Sequence, residues 1–111
     1  MKRLVYLLTS AFFFCLSAFQ CNKYTPSFCI NSKISSFKNE ACSSGATVKQ
    51  YFFQNQDVYS FDPGQCGSDM TVTILSNNCD TLGFLGGLSG NSTINGEDFS
   101  NAQFREVVWE N

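Results

Sequence analysis

Cysteine is the residue type in this chain with the most chemistry to offer. Six occur: Cys15, Cys21, Cys29, Cys42, Cys66 and Cys79. A thiol can accept a lipid, pair as a disulfide, bind a metal or attack a substrate, and its surroundings decide which. Cys15 lies inside the apolar run Leu4 to Phe19, which follows Lys2 and Arg3. A basic start, an apolar run of this length and small residues near its end make residues 1–20 an export signal. The run is too short to read comfortably as a spanning helix. The protein is therefore expected outside the cytoplasm, with Cys15 removed. Five cysteines remain, an odd number where thiols normally pair. Acylation of Cys21 as the first mature residue restores the parity and predicts a lipid-anchored tether over residues 21–27. Ala18-Phe19-Gln20 departs from a typical lipobox, which places Leu three residues before the cysteine. The competing reading is ordinary cleavage near Ala18, with Cys21 free or bridged to another chain.

The other four cysteines stand 13, 24 and 13 residues apart. Zinc sites of four cysteines usually contain close pairs, so two disulfides are expected and no metal. There is no His, which removes the commonest general base and the serine and cysteine triads. Gly87-Leu88-Ser89-Gly90-Asn91 lacks the second glycine of a nucleophile elbow. Glu97 and Asp98 are the best local carboxylate pair. They could work as acid and base, or bind calcium with Asn95 and Asp69 or Asp80, but the alternating spacing of a calcium loop is missing. The residues thus point to no enzyme and no cofactor. Two modification patterns also occur, Asn91-Ser92-Thr93 for an N-glycan and Asp80-Thr81-Leu82 for an O-glycan.

These residues need elements to position them. Ile30, Ile34 and Phe37 recur at helical spacing, predicting a helix from about Ser27 to Asn39. At 1.5 Å per residue such a helix is roughly 18 Å long, which separates Cys29 from Cys42 beyond the reach of a disulfide. Two pairings survive. Ala46 to Phe53 and Val58 to Phe61 then read as a hairpin around Gln54 to Asp57. Cys42 and Cys66 lie just beyond its open end, which favours Cys42–Cys66 with Cys29–Cys79. Val48, Phe52, Tyr59 and Phe61 are the predicted core face, and Lys49, Tyr51 and Phe53 the opposite one. Met70 to Leu75 and Thr81 to Leu85 are predicted as a second hairpin around Asn77 to Asp80, with Met70, Val72 and Ile74 on one face. A loose polar loop follows from Asn91 to Asp98, and Gln103 to Trp109 is the last strand.

The fold class expected is α+β. One N-terminal helix packs on a four- or five-stranded antiparallel sheet, in a single domain over residues 28–111 stapled by two disulfides. From Cys21 onward 5 basic residues face 9 acidic ones, a net charge of −4. That argues against nucleic-acid binding, which normally needs a basic face. Tyr51, Phe53 and Trp109 are expected on the face away from the helix, as a platform for a carbohydrate or protein. Leu88, between glycines, joins Glu97, Asp98 and Trp109 as candidate binding residues.

The chain also resembles a family of small exported proteins of Bacteroidota, a domain of unknown function. The resemblance rests on Phe19-Gln20-Cys21-Asn22-Lys23, on Cys29-Ile30, on Val58 through Cys66, on Asn78-Cys79-Asp80, and on Gly86-Gly87 followed by Gly96 and Asp98-Phe99. It implies an envelope lipoprotein and transfers no catalytic residue. The leading expectation is a non-enzymatic lipoprotein of the cell envelope, structural or partner-binding, with the membrane and an envelope protein as partners. A secreted inhibitor of an envelope hydrolase or protease, inserting Gly83 to Asp98, is the alternative. A hydrolase using carboxylates is a third reading.

Overall fold

The computed structural model describes residues 26–111. The export signal, Cys15, acylation of Cys21 and all but the end of the tether lie outside the described residues. Helix α1 spans Phe28–Glu40. Ser27 caps it: the hydroxyl accepts from the Ile30 amide at 3.2 Å and donates to the Asn77 carbonyl at 2.6 Å. One serine thus satisfies an orphan amide and ties the helix start to a distant turn. At the other end, the Ala41 amide bonds the Phe37 carbonyl.

Five strands form one antiparallel sheet. They are β1 Thr47–Phe53, β2 Gln56–Asp62, β3 Thr71–Ser76, β4 Thr81–Gly86 and, last in the chain, β7 Gln103–Glu110. Two short strands before the last, β5 Thr93–Ile94 and β6 Glu97–Asp98, pair only with each other. The order across the large sheet is β4-β3-β2-β1-β7. β2 is longer than expected at both ends, and only Gln54-Asn55 connects it to β1. Both residues have positive φ, 51° and 61°, which suits the right-handed twist of a two-residue hairpin turn. Gln56 and Asp57, assigned to the turn from their polarity, belong to the strand.

The helix crosses the sheet diagonally. Cys29–Cys79 fastens its start to the β3–β4 turn, with Cα atoms 6.1 Å apart. Cys42–Cys66 fastens the segment after its end beside the close of β2, with Cα atoms 5.7 Å apart. Beneath it Ile30, Ile34, Val48, Tyr59, Phe61 and Leu75 form a core, flanked by Phe37, Val108 and Trp109. Phe52 shares the strand face of Val48 but lies toward the Gln54-Asn55 end of β1, away from the helix path. It is half-buried instead, with the Arg105 guanidinium 5.2 Å from its ring centre. Gln50, fully buried, leaves its side-chain oxygen without a donor among the described residues.

The second face has a core of its own. Phe53, Val58, Ile74 and Ile94 are buried there, with Tyr51, Val72, Leu82, Leu85, Phe99 and Ala102 around them. The cover comes from the segment expected to be a loose loop. It folds into the small β5–β6 hairpin around Asn95-Gly96, and then a 3-10 turn, Phe99–Asn101. A β-carbon on Gly83 would stand 2.9 Å from Ile94 Cδ1, so the missing side chain in β4 is what lets Ile94 seat.

Trp109 does not share the face of Tyr51 and Phe53. β7 carries two irregularities against β1: Lys49 pairs with Val107 directly after Val48 pairs with Trp109, and Tyr51 pairs with Phe104 directly after Gln50 pairs with Glu106. Its direct pairing puts Trp109 on the face of Val48, under the helix, and the skipped Val108 turns the same way. Trp109 packs edge-on against Phe37, with ring centres 5.9 Å apart.

The loops that join helix and sheet are equally specified. Gly64 has φ +89°, and a β-carbon there would meet the Ser44 carbonyl at 3.0 Å and Cys42 Cβ at 3.2 Å. The Cys42 amide bonds the Pro63 carbonyl at 2.9 Å, and Asn111 bonds both Cys42 and Ala46. Removing each bridge by paired Cys→Ser changes should lower stability, by about 3.5 kcal/mol for the 24-residue separation and about 4 kcal/mol for the 50-residue one, measured by denaturant titration. Burial, helped by Asp57 and Glu106, pushes the Tyr59 phenol up to about 12 from 10.0. The folded state therefore keeps a proton that the unfolded chain loses. This contribution is complete below pH 10 and falls away as pH rises toward about 12. Tyr59→Phe should flatten the alkaline fall in unfolding free energy over that window.

Candidate interaction surface

Leu88 is the most conspicuous of the candidate residues. It sits beyond β4 in Gly86-Gly87-Leu88-Ser89-Gly90-Asn91 and is 88% exposed. The turn is tightly closed. The Gly86 amide donates to the Asn91 carbonyl at 2.8 Å, the Asn91 amide to Gly86 at 3.2 Å, and the Gly90 amide to Gly87 at 3.1 Å. Asn91 Nδ2 donates to the carbonyls of Phe84 at 2.6 Å and Thr93 at 2.8 Å. The glycines at 86, 87 and 90 all have positive φ, so they build the turn and do not loosen it. The result is a stiff tip presenting one aliphatic side chain to solvent. Phe84, half exposed, lies on the same edge strand. The Asn91 amide that an N-glycan would occupy is the group that holds this tip together.

Glu97 and Asp98 are neighbours in sequence with separate tasks. Glu97 accepts from Gln54 Nε2 at 3.2 Å and from Asn101 Nδ2 at 3.4 Å. Asn95 Nδ2 in turn donates to Gln54 Oε1 at 3.2 Å. This amide cluster ties the small hairpin to the β1–β2 turn. Asp98 caps the 3-10 turn, accepting from the Ser100 amide at 2.8 Å. Bonds from the Ser100 amide and hydroxyl hold its carboxyl below the usual aspartate range. A carboxylate kept ionised by its own cap is poorly suited to donating a proton. Among the described residues no three His, Cys, Asp or Glu side chains gather as a metal would need.

Trp109 stands apart from both, among the helix-side residues, with Lys38 Nζ 5.9 Å from its ring centre. Leu88, the two acids and Trp109 thus do not converge on one site. Sequence reading also missed two concavities. The helix diagonal leaves a groove of about 540 Å3, floored by Phe37, Phe61 and Leu75, between Lys33, Ser36 and Glu40 on one side and Thr71, Thr73 and Thr81 on the other. On the opposite face a depression of about 480 Å3 lies along Tyr51, Leu85, Asn91, Asp98 and Phe99. Each groove joins residues far apart in the chain, so no local pattern announces it. Thr81 of the candidate O-glycan pattern is exposed at the first of them.

An exposed Leu on a self-supporting turn contributes little to the core. Leu88→Asp is therefore expected to leave the melting temperature within a few degrees of wild type, as read by thermal circular dichroism. Unfolding by this single change would show that Leu88 is part of the core.

No curated protein and no solved structure matches the chain. The model of the family described as a domain of unknown function (DUF6970) matches residues 35–111. The match begins within α1, after Cys29, and takes in the whole sheet and both Cys42 and Cys66. With most of its length covered, the chain belongs to that DUF6970 family.

Proposed function

We propose that the protein is a non-enzymatic, lipid-anchored domain of the bacterial cell envelope, of the type exported by Bacteroidota, which binds a protein partner. The observation that carries this reading is the cysteine balance. Cys29, Cys42, Cys66 and Cys79 are consumed in two internal bridges, which fit an oxidising, non-cytoplasmic compartment. Cys15 falls in the apolar leader, so Cys21 is the one cysteine left over, and it stands where the leader ends. Acylation gives that residue a use. The acids support a binding role over a catalytic one, since Glu97 is occupied by two amides and Asp98 by a cap. The net charge of −4 after the leader keeps nucleic acid off the list of partners.

The stiff Leu88 tip favours a second reading, a secreted inhibitor that inserts this turn into an envelope hydrolase or protease. The two readings share an exposed tip and differ in the anchor. Cys21→Ala should move the protein from the detergent phase to the soluble fraction, because each acyl CH2 buried in lipid contributes about 0.8 kcal/mol. Intact-mass spectrometry of the membrane-extracted protein should show the acyl groups directly. Unchanged partitioning of the variant, with no acyl mass, would reject the anchor and leave the secreted inhibitor standing.

A further inference from the structure

We infer that Phe28, the first residue of α1, seats in the membrane interface and sets the orientation of the domain on the bilayer. The inference rests on the lipid anchor at Cys21 proposed above. Phe28 is 90% exposed, the largest exposure of any large apolar side chain among the described residues. Among the described residues nothing covers it, whereas its neighbours are all engaged. Ser27 is bonded to Asn77 and Ile30, Cys29 is bridged to Cys79, and Ile30 is fully buried. The helix start is therefore held rigidly, with one phenyl ring pointing outward.

Chain length says what lies in front of that ring. Ser27 stands six positions after Cys21. Even fully extended, that segment spans at most about 21 Å. An acyl chain on Cys21 is in the bilayer, so the helix start cannot leave the membrane surface by more than this. An exposed phenyl confined so close gains by burying its ring among lipid headgroups and upper acyl chains. The contact is apolar and needs no negative headgroup.

The fold then dictates which way the rest faces. β4 starts at Thr81, next to the anchored turn, and runs to Gly86, roughly 17 Å away at 3.3 Å per residue. Leu88 follows. With Phe28 in the interface, the Leu88 tip is carried to the far end of the sheet, away from lipid, where a protein partner can reach it.

The test uses the full acylated protein, extracted from the envelope and reconstituted in phosphatidylcholine vesicles with or without brominated acyl chains. Wild-type emission comes from Trp109, the chain's sole Trp. Trp109 touches Phe37, about 14 Å along the helix from Phe28. In Phe28→Trp the introduced indole should emit to the blue of its position in detergent-free, deacylated protein. Brominated lipid should quench the variant several-fold more than it quenches wild type. An unchanged melting temperature confirms that the variant is folded. Acylated Phe28→Trp protein whose added emission is neither shifted nor quenched overturns the interfacial contact and leaves the anchor intact. Protein that carries no acyl mass and does not stay with vesicles overturns both.

Discussion

Everything in this fold depends on where its one α-helix is held. Thirteen residues of helix with two buried isoleucines are marginal in isolation. Here both ends are fixed to the sheet by covalent bonds, and the first also by the Ser27–Asn77 hydrogen bond. The anchor points lie at opposite ends of the sheet, at the β3–β4 turn and beside the close of β2. A straight rod joining them must cross on the diagonal. That crossing decides which strand residues are core: Val48, Tyr59, Phe61 and Leu75 fall beneath it, and Phe52 does not. It also leaves a corner of the sheet bare, and the groove between Lys33, Glu40 and Thr73 is that corner.

The other face is solved by different means. No second α-helix exists among the described residues to cover it, so the excursion between β4 and β7 does the work. Ile94 enters over Gly83, and Phe99 wedges against Tyr51 and Phe53, with ring centres 5.1 Å from each. The amide cluster of Gln54, Asn95, Glu97 and Asn101 and the cap at Asp98 keep the excursion in place. The acids that look most available for chemistry in the sequence are thus spent on holding a lid over the second core. The two most exposed large apolar side chains among the described residues stand at the two ends of the molecule: Phe28 at one and Leu88 at the other.

This division suits a protein displayed on a surface. A stapled domain holds together in an oxidising environment where its bridges are not reduced. On the reading proposed above, Phe28 and Leu88, each on a rigid support, serve as contact points whose ordering cost has been met in the folding of the domain itself. Leu88 lies within the residues that the family shares, and Phe28 precedes them.

Local patterns in the sequence determined the elements. The helical spacing of Ile30, Ile34 and Phe37, the capping Ser27, and the alternation in the strands each act over a few residues, so they can be read without the fold. The disulfide pairing was legible for the same reason: a helix between Cys29 and Cys42 forbids their union, and the first hairpin brings Cys42 and Cys66 together at its open end. Tertiary structure alone decided the faces and the surface. The pairing of Val48 with Trp109 put the indole on the helix side, and which residues meet across strands so far apart in the chain has no local signature. Asn95-Gly96 signals a hairpin turn, yet strands two residues long are held by Gly83 and Phe99, distant partners that no local period reveals. Exposure of Phe28 and Leu88 was settled in the same way. An apolar side chain is buried or bare according to what packs across from it, and within the described residues nothing packs across from these two.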